Sequence, residues 1–260
     1  MFKDIFQALI SATRKLFAHW GTTLITLVLY VLLLLVFYAF FFATREGTVT
    51  QVILSLVVLP LAALLLFFVL QGLGVSYVRI GVGPGYLLRR AFKDCWSLLL
   101  VSVPLVLLGY LVAWGSDKLK ARLGYEQSKE WLRTLLWWAR FVLLYIVLPL
   151  LAIHLWIAAA REGARGAYRG FLRNAAYAFA PRSLAIYALL YTIFSVVVYV
   201  LLFTKTQYGG PWIELMLLGG RVALALLLVF VGWLVTLGAL AEVTARSVKL
   251  EAGIIDEAKG

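Results

Sequence analysis

Residues 27–42 read LVLYVLLLLVFYAFFF, and this continuously apolar stretch decides the fold class of the chain. A membrane β-strand would instead alternate apolar and polar residues over about ten positions. A helix of about 20 apolar residues crosses the hydrocarbon core of a bilayer, and it satisfies its own backbone hydrogen bonds there. The stretch therefore predicts a membrane-spanning helix, which extends back to residue 21.

Five further apolar stretches predict the rest of the architecture. Hydrophobic residues make up 64% of the 260 residues and charged residues 14%, whereas soluble domains have about 45–50% and about 25%. We therefore predict an all-α integral membrane protein with a single polytopic domain over residues 1–260. Spans one to six are predicted at residues 21–42, 51–70, 96–114, 137–159, 184–203 and 221–242.

The Lys and Arg residues of the flanking segments predict the orientation in the membrane. With six spans, both termini lie on the same side as the connections after spans two and four. That side carries 15 of the 24 Lys and Arg residues, and the other side carries 9. Because cytoplasmic loops are enriched in Lys and Arg, we predict a multi-pass protein of the bacterial cytoplasmic (inner) membrane with both termini in the cytoplasm.

Two similar sequences predict an internal repeat. Val58-Leu59-Pro60-Leu61-Ala62-Ala63 in span two corresponds to Val147-Leu148-Pro149-Leu150-Leu151-Ala152 in span four, and five of the six positions are identical. Self-similarity at a fixed offset is the signature of repeated structural units. We predict three hairpins, each beginning with an interfacial amphipathic helix, and a short cytoplasmic tail. Their boundaries are 1–80, 81–163 and 164–246, with the tail at 247–260.

The N-terminal segment predicts the first of these amphipathic helices. Apolar residues fall at helical spacing along one side, and polar residues take the opposite side. Such a helix lies in the headgroup layer with its apolar face buried in the membrane. The apolar residues are Phe2, Ile5, Phe6, Leu9, Leu16, Phe17 and Trp20.

The segment Leu88-Arg89-Arg90-Ala91-Phe92, which is hydrophobic and basic and precedes span three, carries a resemblance to known proteins. Together with the six spans and the hairpin repeat, it resembles poorly characterised bacterial six-helix membrane proteins, nearest the membrane domain attached to some glycerophosphodiester phosphodiesterases. The resemblance covers most of the chain and implies a six-helix membrane fold. It implies no catalytic residue, because the chain lacks the clustered His and Glu residues that such an enzyme needs.

Two groups of basic residues are the candidate sites for lipid headgroups or a partner. They are Arg89, Arg90 and Lys93 before span three, and Arg161, Arg165, Arg169 and Arg173 after span four. Because the second group recurs every four residues, it is predicted to form one slowly turning stripe on a helix. Two interpretations remain open. The residues form a surface that binds anionic headgroups or a membrane protein, or they are the ordinary basic excess of cytoplasmic loops.

Three prolines and one histidine within the predicted spans are candidates for helix kinks and a cavity. Pro60, Pro104 and Pro149 each release a backbone carbonyl from the helical hydrogen-bond ladder, which can line a cavity or hinge a gate. Prolines are also common in membrane helices without any such role. His154 in span four either relays protons or makes a neutral hydrogen bond between helices, and the second interpretation is preferred.

The sequence predicts neither catalysis nor a cofactor. One Cys and two His cannot build an ordinary four-ligand zinc site, and we expect no metal, no cofactor and no nucleic-acid partner. We interpret the chain as a non-enzymatic accessory or scaffold protein that binds anionic lipid headgroups and a membrane-protein partner or a second copy. The alternative is a channel or transporter for a lipid or small apolar molecule. An intramembrane enzyme is a third hypothesis. Acidic residues, Ser and His are too sparse within the spans to form an acid–base or nucleophilic set, which counts against it.

Overall fold

The chain is helical throughout the part that the computed structural model describes, which comprises residues 2–43, 47–80, 84–123, 130–204 and 210–257. The α-helices are α1 (Phe2–Ala18), α2 (Trp20–Tyr38), α3 (Val49–Ile53), α4 (Leu59–Ile80), α5 (Pro84–Leu123), α6 (Glu130–Val142), α7 (Leu148–Arg169), α8 (Phe171–Ala178), α9 (Pro181–Phe203) and α10 (Pro211–Glu257). Short π-helical segments continue them. Ala39–Ala43 follows α2, Leu54–Val58 joins α3 to α4, and Leu143–Val147 joins α6 to α7.

Six of the resulting helical rods are long and apolar enough to cross a membrane, which confirms the predicted fold class. Their most hydrophobic windows have mean hydropathies between 2.2 and 3.0. The chain is therefore a multi-pass membrane protein. Spans one to six are Trp20–Phe42, Val49–Ser76, Gly85–Arg122, Glu130–Arg169, Pro181–Phe203 and Pro211–Val248.

Span three differs from the predicted arrangement at its beginning. The second hairpin was expected to begin with an interfacial helix separate from span three, but α5 is one continuous helix of 40 residues. The physical reason is local, because residues 86–103 contain neither glycine nor proline to interrupt the helix. At 1.5 Å per residue, α5 is about 60 Å long, and a bilayer core is about 30 Å thick. The basic residues near its beginning therefore lie on the same rod as the span.

The N-terminal helix α1 packs against protein rather than presenting its whole apolar side to the exterior. Ile5, Ala8, Ala12 and Leu16 are buried, and α1 contacts α10. Phe6, expected on the face buried in the membrane, is 67% exposed on the outside of the protein. Small alanine side chains allow the close helix approach that Phe6 would prevent. The face of α1 that packs against protein is therefore centred on the alanines.

An ion-pair cluster fixes the end of α1 to the last helix. Lys15 Nζ lies 2.9 Å from Glu242 Oε2, and Arg246 Nη2 lies 3.3 Å from Glu242 Oε1. The two cations thus share one carboxylate, which neutralises charge where the helices meet. This contact places the end of α1 beside the C-terminal part of α10.

Spans four and six form the centre of the bundle. In each of them 44% of the most hydrophobic window is buried, compared with 11% in span one. Helix α4 also packs closely, because small residues mark its contacts. A Cβ added at Gly72 would lie 3.3 Å from the backbone of Ala91 in α5, and one added at Gly74 would lie 2.6 Å from Leu237 in α10.

The two similar sequences of spans two and four adopt the same local structure. The N–H of Leu59 donates to Leu54, and the N–H of Leu148 donates to Leu143, each five residues earlier. In both cases a π-helical segment ends one residue before a Leu-Pro pair, where proline disturbs an ordinary α-helical turn. The repeat of three hairpins itself stays a prediction, and its boundary at residue 81 lies outside the described residues.

Glycine breaks α7 and contradicts the predicted arginine stripe. Gly163 has φ +76° and ψ 173°, a conformation open essentially only to glycine. A second break at Gly170 separates α7 from α8. The four arginines are therefore distributed over three helical pieces, and they do not form one stripe.

At the C-terminal end, residues 247–257, which were expected as a tail, continue α10 as helix. Residues 258–260 lie outside the described residues.

Candidate functional site

An aromatic crevice of about 430 Å³ lies between spans two, four, five and six. Six aromatic side chains supply most of its wall: Phe67, Trp156, Tyr187, Tyr191, Phe194 and Trp233. Aliphatic residues fill the gaps between them, and no Asp, Glu, Lys, Arg or His is among its described lining residues. Ligand pockets typically measure about 300–1,000 Å³ and are mostly apolar with a few polar groups. The aromatic crevice therefore has the size and lining of a binding site for an uncharged ligand.

Uncharged polar groups border the apolar wall. Gln71 is only 4% exposed, and its Oε1 accepts a hydrogen bond from Trp233 Nε1 at 3.1 Å. On a neighbouring part of the wall, Trp156 Nε1 donates to Ser102 Oγ at 2.7 Å. Each tryptophan thus faces the crevice with its ring while its N–H is satisfied by another helix. Such bonds hold aromatic side chains in fixed orientations, which pre-forms the crevice.

A hydrogen bond at Pro149 fastens span five to span four beside the aromatic crevice. Proline has no N–H, so Pro149 cannot donate to the carbonyl of Tyr145, four residues earlier. The hydroxyl of Tyr187 in α9 donates to that carbonyl at 2.8 Å. Pro149 and Tyr187 both line the crevice. The proline therefore creates an acceptor, and the tyrosine uses it to position one wall.

The same arrangement recurs at Pro104 in α5. The carbonyl of Leu100, four residues before this proline, accepts a hydrogen bond from the hydroxyl of Tyr168 at 2.7 Å. Tyr168 follows the break at Gly163, so the bond ties the last part of α7 to span three. At two places in the described structure, the carbonyl that lies four residues before a proline thus accepts a hydrogen bond from a tyrosine of another helix.

We expect Tyr187→Phe to lower the free energy of unfolding by about 1 kcal/mol, because the Tyr145 carbonyl loses its donor in an apolar environment. In a Pro149→Ala background the loss should be smaller, since alanine supplies a backbone N–H to the same carbonyl. The measurement is a double-mutant cycle, with unfolding followed by SDS titration in detergent micelles. Tyr191→Phe is the matched control on the same helix. Equal losses from Tyr187→Phe in both backgrounds would contradict the coupling.

The four residues predicted to line one cavity are separated in the structure. Only Pro149 is among the residues that line the aromatic crevice. The predicted shared path is therefore not formed by these residues. Pro60 and Pro104 are exposed on the outer surface of their helices.

His154 lies in a separate small crevice, near Arg161 and Thr244. Its side chain is buried, and Nδ1 lies 2.9 Å from the carbonyl of Leu150. Because a carbonyl only accepts, Nδ1 carries a proton, and Nε2 forms a hydrogen bond of 3.4 Å with the hydroxyl of Ser183. The contact joins α7 to α9, as the hydrogen-bonding interpretation predicts.

The basic residues of α5, α7 and α8 approach one another but fall into two groups. Arg89, Arg90 and Lys93 line a crevice at the beginning of α5. Arg161 and Arg173 line the small crevice with His154, and Arg173 Nη2 lies 3.5 Å from Glu162 Oε1. Arg90 Nη2 donates to the carbonyl of Ala160 at 3.4 Å, which joins the two groups. All five side chains therefore lie on one side of the molecule.

Sequence reasoning missed the aromatic crevice, although one signal pointed to it. Gln71 is a lone amide at the end of a long apolar run, and a buried polar side chain in a membrane helix marks a contact with another helix.

The described residues contain no group of three His, Cys, Asp or Glu that could hold a metal ion. Comparison of the chain with known protein families, curated proteins and solved structures found no match.

Proposed function

We propose that the protein is a non-enzymatic accessory subunit of a bacterial membrane complex, which binds one hydrocarbon chain of a membrane lipid in the aromatic crevice. The observation that carries the proposal is the composition of the crevice wall. Six aromatic side chains line a crevice of about 430 Å³ within the membrane-spanning part of the bundle, and its described lining residues carry no formal charge. A flexible apolar chain gains from such a surface through dispersion contacts with the rings.

The polar border of the crevice favours a lipid over a purely apolar guest. Thr236 and Ser195 are also among the lining residues. The Thr236 hydroxyl donates to the carbonyl of Gly232 at 2.6 Å, so its oxygen keeps acceptor capacity. A hydroxyl or ester group near the chain can use such neutral partners without the desolvation cost of a charge. The proposed ligand is therefore a lipid whose chain enters first and whose charged headgroup stays outside.

A membrane partner or a second copy is part of the proposal. Span one is peripheral, because only 11% of its most hydrophobic window is buried within the chain. Helix α6 adds exposed tryptophans at Trp131, Trp137 and Trp138. Exposed apolar helix surfaces are available for contact with lipid or with another membrane helix. These surfaces support an accessory role and leave the crevice free for the lipid chain.

We expect Ser195→Phe to fill the aromatic crevice and to lower lipid binding about tenfold, the equivalent of about 1.4 kcal/mol. The probe is a phosphatidylcholine with a photoreactive diazirine in one acyl chain, incorporated with the protein into nanodiscs. Cross-linked peptides are identified by mass spectrometry. The wild-type protein should be labelled at Tyr191, Phe194 or Trp233.

Val196→Phe is the matched control, since Val196 neighbours Ser195 on α9, is exposed and does not line the crevice. It should leave the labelling unchanged. Labelling spread evenly over all outward-facing helix surfaces, with no response to Ser195→Phe, would contradict binding in the crevice.

The crevice also favours a second candidate function, the transport of a lipid or small apolar molecule. It lies in the membrane-spanning part of four different helices, and α9 is fastened to α7 there by the bond from Tyr187. A transporter should catalyse flux of a fluorescent lipid across proteoliposomes, and Ser195→Phe should abolish that flux. Flux at the background level in the wild-type protein and in all variants would contradict the transport hypothesis, and lipid binding alone would remain as the proposed function.

A further inference from the structure

A second crevice, of about 550 Å³, lies at the beginning of α5 and has the opposite chemistry to the aromatic one. We name it the basic crevice, and it is lined by Tyr86, Arg89, Arg90, Lys93 and Asp94. We infer that the basic crevice binds the phosphate of an anionic membrane phospholipid. The inference goes beyond the proposed function, because it names another site and another part of the ligand and uses none of the aromatic crevice residues.

The positive charge of the basic crevice is only partly balanced by the described side chains. Arg90 Nε lies 3.5 Å from Asp94 Oδ2, and the same guanidinium donates to the carbonyl of Ala160. Arg90 and Asp94 therefore have a structural role, which is to fix α5 against α7. Among the described side chains, no carboxylate forms an ion pair with Arg89 or Lys93. These two exposed cations are available for an anion from outside the chain.

The two cations are arranged to act together. Arg89 and Lys93 are four residues apart on one continuous helix, so their side chains project from the same face. A guanidinium offers a planar pair of donors to phosphate oxygens, and an ammonium adds a compact charge. Tyr86 lies one turn earlier and also lines the crevice, and its side chain carries a hydroxyl that can donate a hydrogen bond. One phosphate can therefore contact three different donors.

Neighbouring aromatic residues favour a lipid as the source of the phosphate. Phe92 is 56% exposed and Trp96 is 64% exposed on the next turns of α5. Exposed tryptophan is characteristic of the layer where lipid headgroups meet hydrocarbon. Span three begins at Gly85, so the basic crevice lies at the end of a membrane-crossing rod. The phosphates of membrane lipids lie in this layer at high local concentration.

The test is a lipid titration of the delipidated, full-length protein in detergent, followed by native mass spectrometry. The probes are dioleoylphosphatidylglycerol and dioleoylphosphatidylcholine. We expect Arg89→Gln combined with Lys93→Gln to weaken phosphatidylglycerol binding about tenfold or more, because each cation contributes to attraction of an anionic headgroup. Binding of phosphatidylcholine should change little. Arg90 is left intact, so that the contact between α5 and α7 is preserved.

Lys120→Gln combined with Arg122→Gln is the matched control, since it removes one Lys and one Arg from the other end of the same helix. It should leave phosphatidylglycerol binding within twofold of the wild type. Equal weakening by both double variants, or by neither, would overturn the site. If millimolar inorganic phosphate displaced the lipid completely, the inference that the bound phosphate belongs to a lipid would be overturned.

A third variant tests whether the basic crevice binds lipid independently of the aromatic crevice. Ser195→Phe should leave phosphatidylglycerol binding at the basic crevice unchanged even where it removes chain labelling. If Ser195→Phe instead removed binding at the basic crevice as well, the two sites would not be independent, and the inference would be overturned. If only the chain labelling failed to appear in the wild-type protein, the proposed function would fail and the phosphate site would stand.

Discussion

Gly232→Ala is expected to lower the free energy of unfolding by about 1–3 kcal/mol, as overpacking of a closely packed interface does. A Cβ at Gly232 would lie 2.6–2.8 Å from three carbon atoms of the Phe194 ring, closer than such atoms can approach. The three atoms are the ring carbons nearest the backbone, which move only if the whole side chain or α9 moves. The substitution should therefore also separate α9 from α10 and change the shape of the aromatic crevice.

Gly220→Ala is the matched control for this prediction. Gly220 lies in the same helix, and a Cβ there would meet no atom within 4 Å. Alanine favours helix by about 1 kcal/mol over glycine, so this variant should be neutral or stabilising. The measurement is SDS-induced unfolding of both variants in the same detergent. Equal stabilities of the two variants would contradict the close contact between α9 and α10.

Gly163→Ala is expected to lower the free energy of unfolding by about 1–3 kcal/mol, the cost of a residue with a Cβ in this region of φ and ψ. No atom lies within 4 Å of the added Cβ, so the penalty comes from the backbone alone. The variant should also favour a continuous helix, which moves Tyr168 away from the carbonyl of Leu100. The measurement is SDS-induced unfolding in detergent, as for Gly232→Ala.

Gly115→Ala controls for the general effect of replacing glycine. It lies inside α5, has no positive φ and meets no atom within 4 Å of an added Cβ. This control should be neutral or stabilising for the same reason as Gly220→Ala. If Gly163→Ala were as stable as Gly115→Ala, the break in α7 would not depend on the conformational freedom of glycine.

The six spans could be predicted because their signal is local. Each span needs only a long apolar run, and such runs are visible in the sequence whatever the helices contact. The arginine stripe could not be predicted by the same reasoning. A spacing of four residues implies one face only while the helix continues, and Gly163 takes a conformation that ends it. A glycine inside a helix can either continue it or break it, so the local sequence does not decide whether the four arginines share one face.

The aromatic crevice could not be predicted because it depends on contacts between distant residues. Tyr187 and Tyr145 are 42 residues apart, and Trp233 and Gln71 are 162 residues apart. Proline at position 149 indicates a released carbonyl, but its partner on α9 is not visible in the sequence. Pro60, Pro104 and Pro149 give the same sequence signal, and only Pro149 faces the crevice. The three prolines differ in the direction in which each faces within the bundle. That direction depends on how each helix is rotated about its axis, which packing against the other helices determines.

Mass spectrometry of the proteins and lipids retained after mild extraction tests the proposed accessory role most directly. The full-length protein is extracted from its native membrane into nanodiscs and purified without added lipid. The proposed function predicts a stoichiometric membrane-protein partner or a second copy, together with bound phospholipid that Ser195→Phe reduces. A monodisperse monomer that retains neither a partner nor a lipid would contradict it.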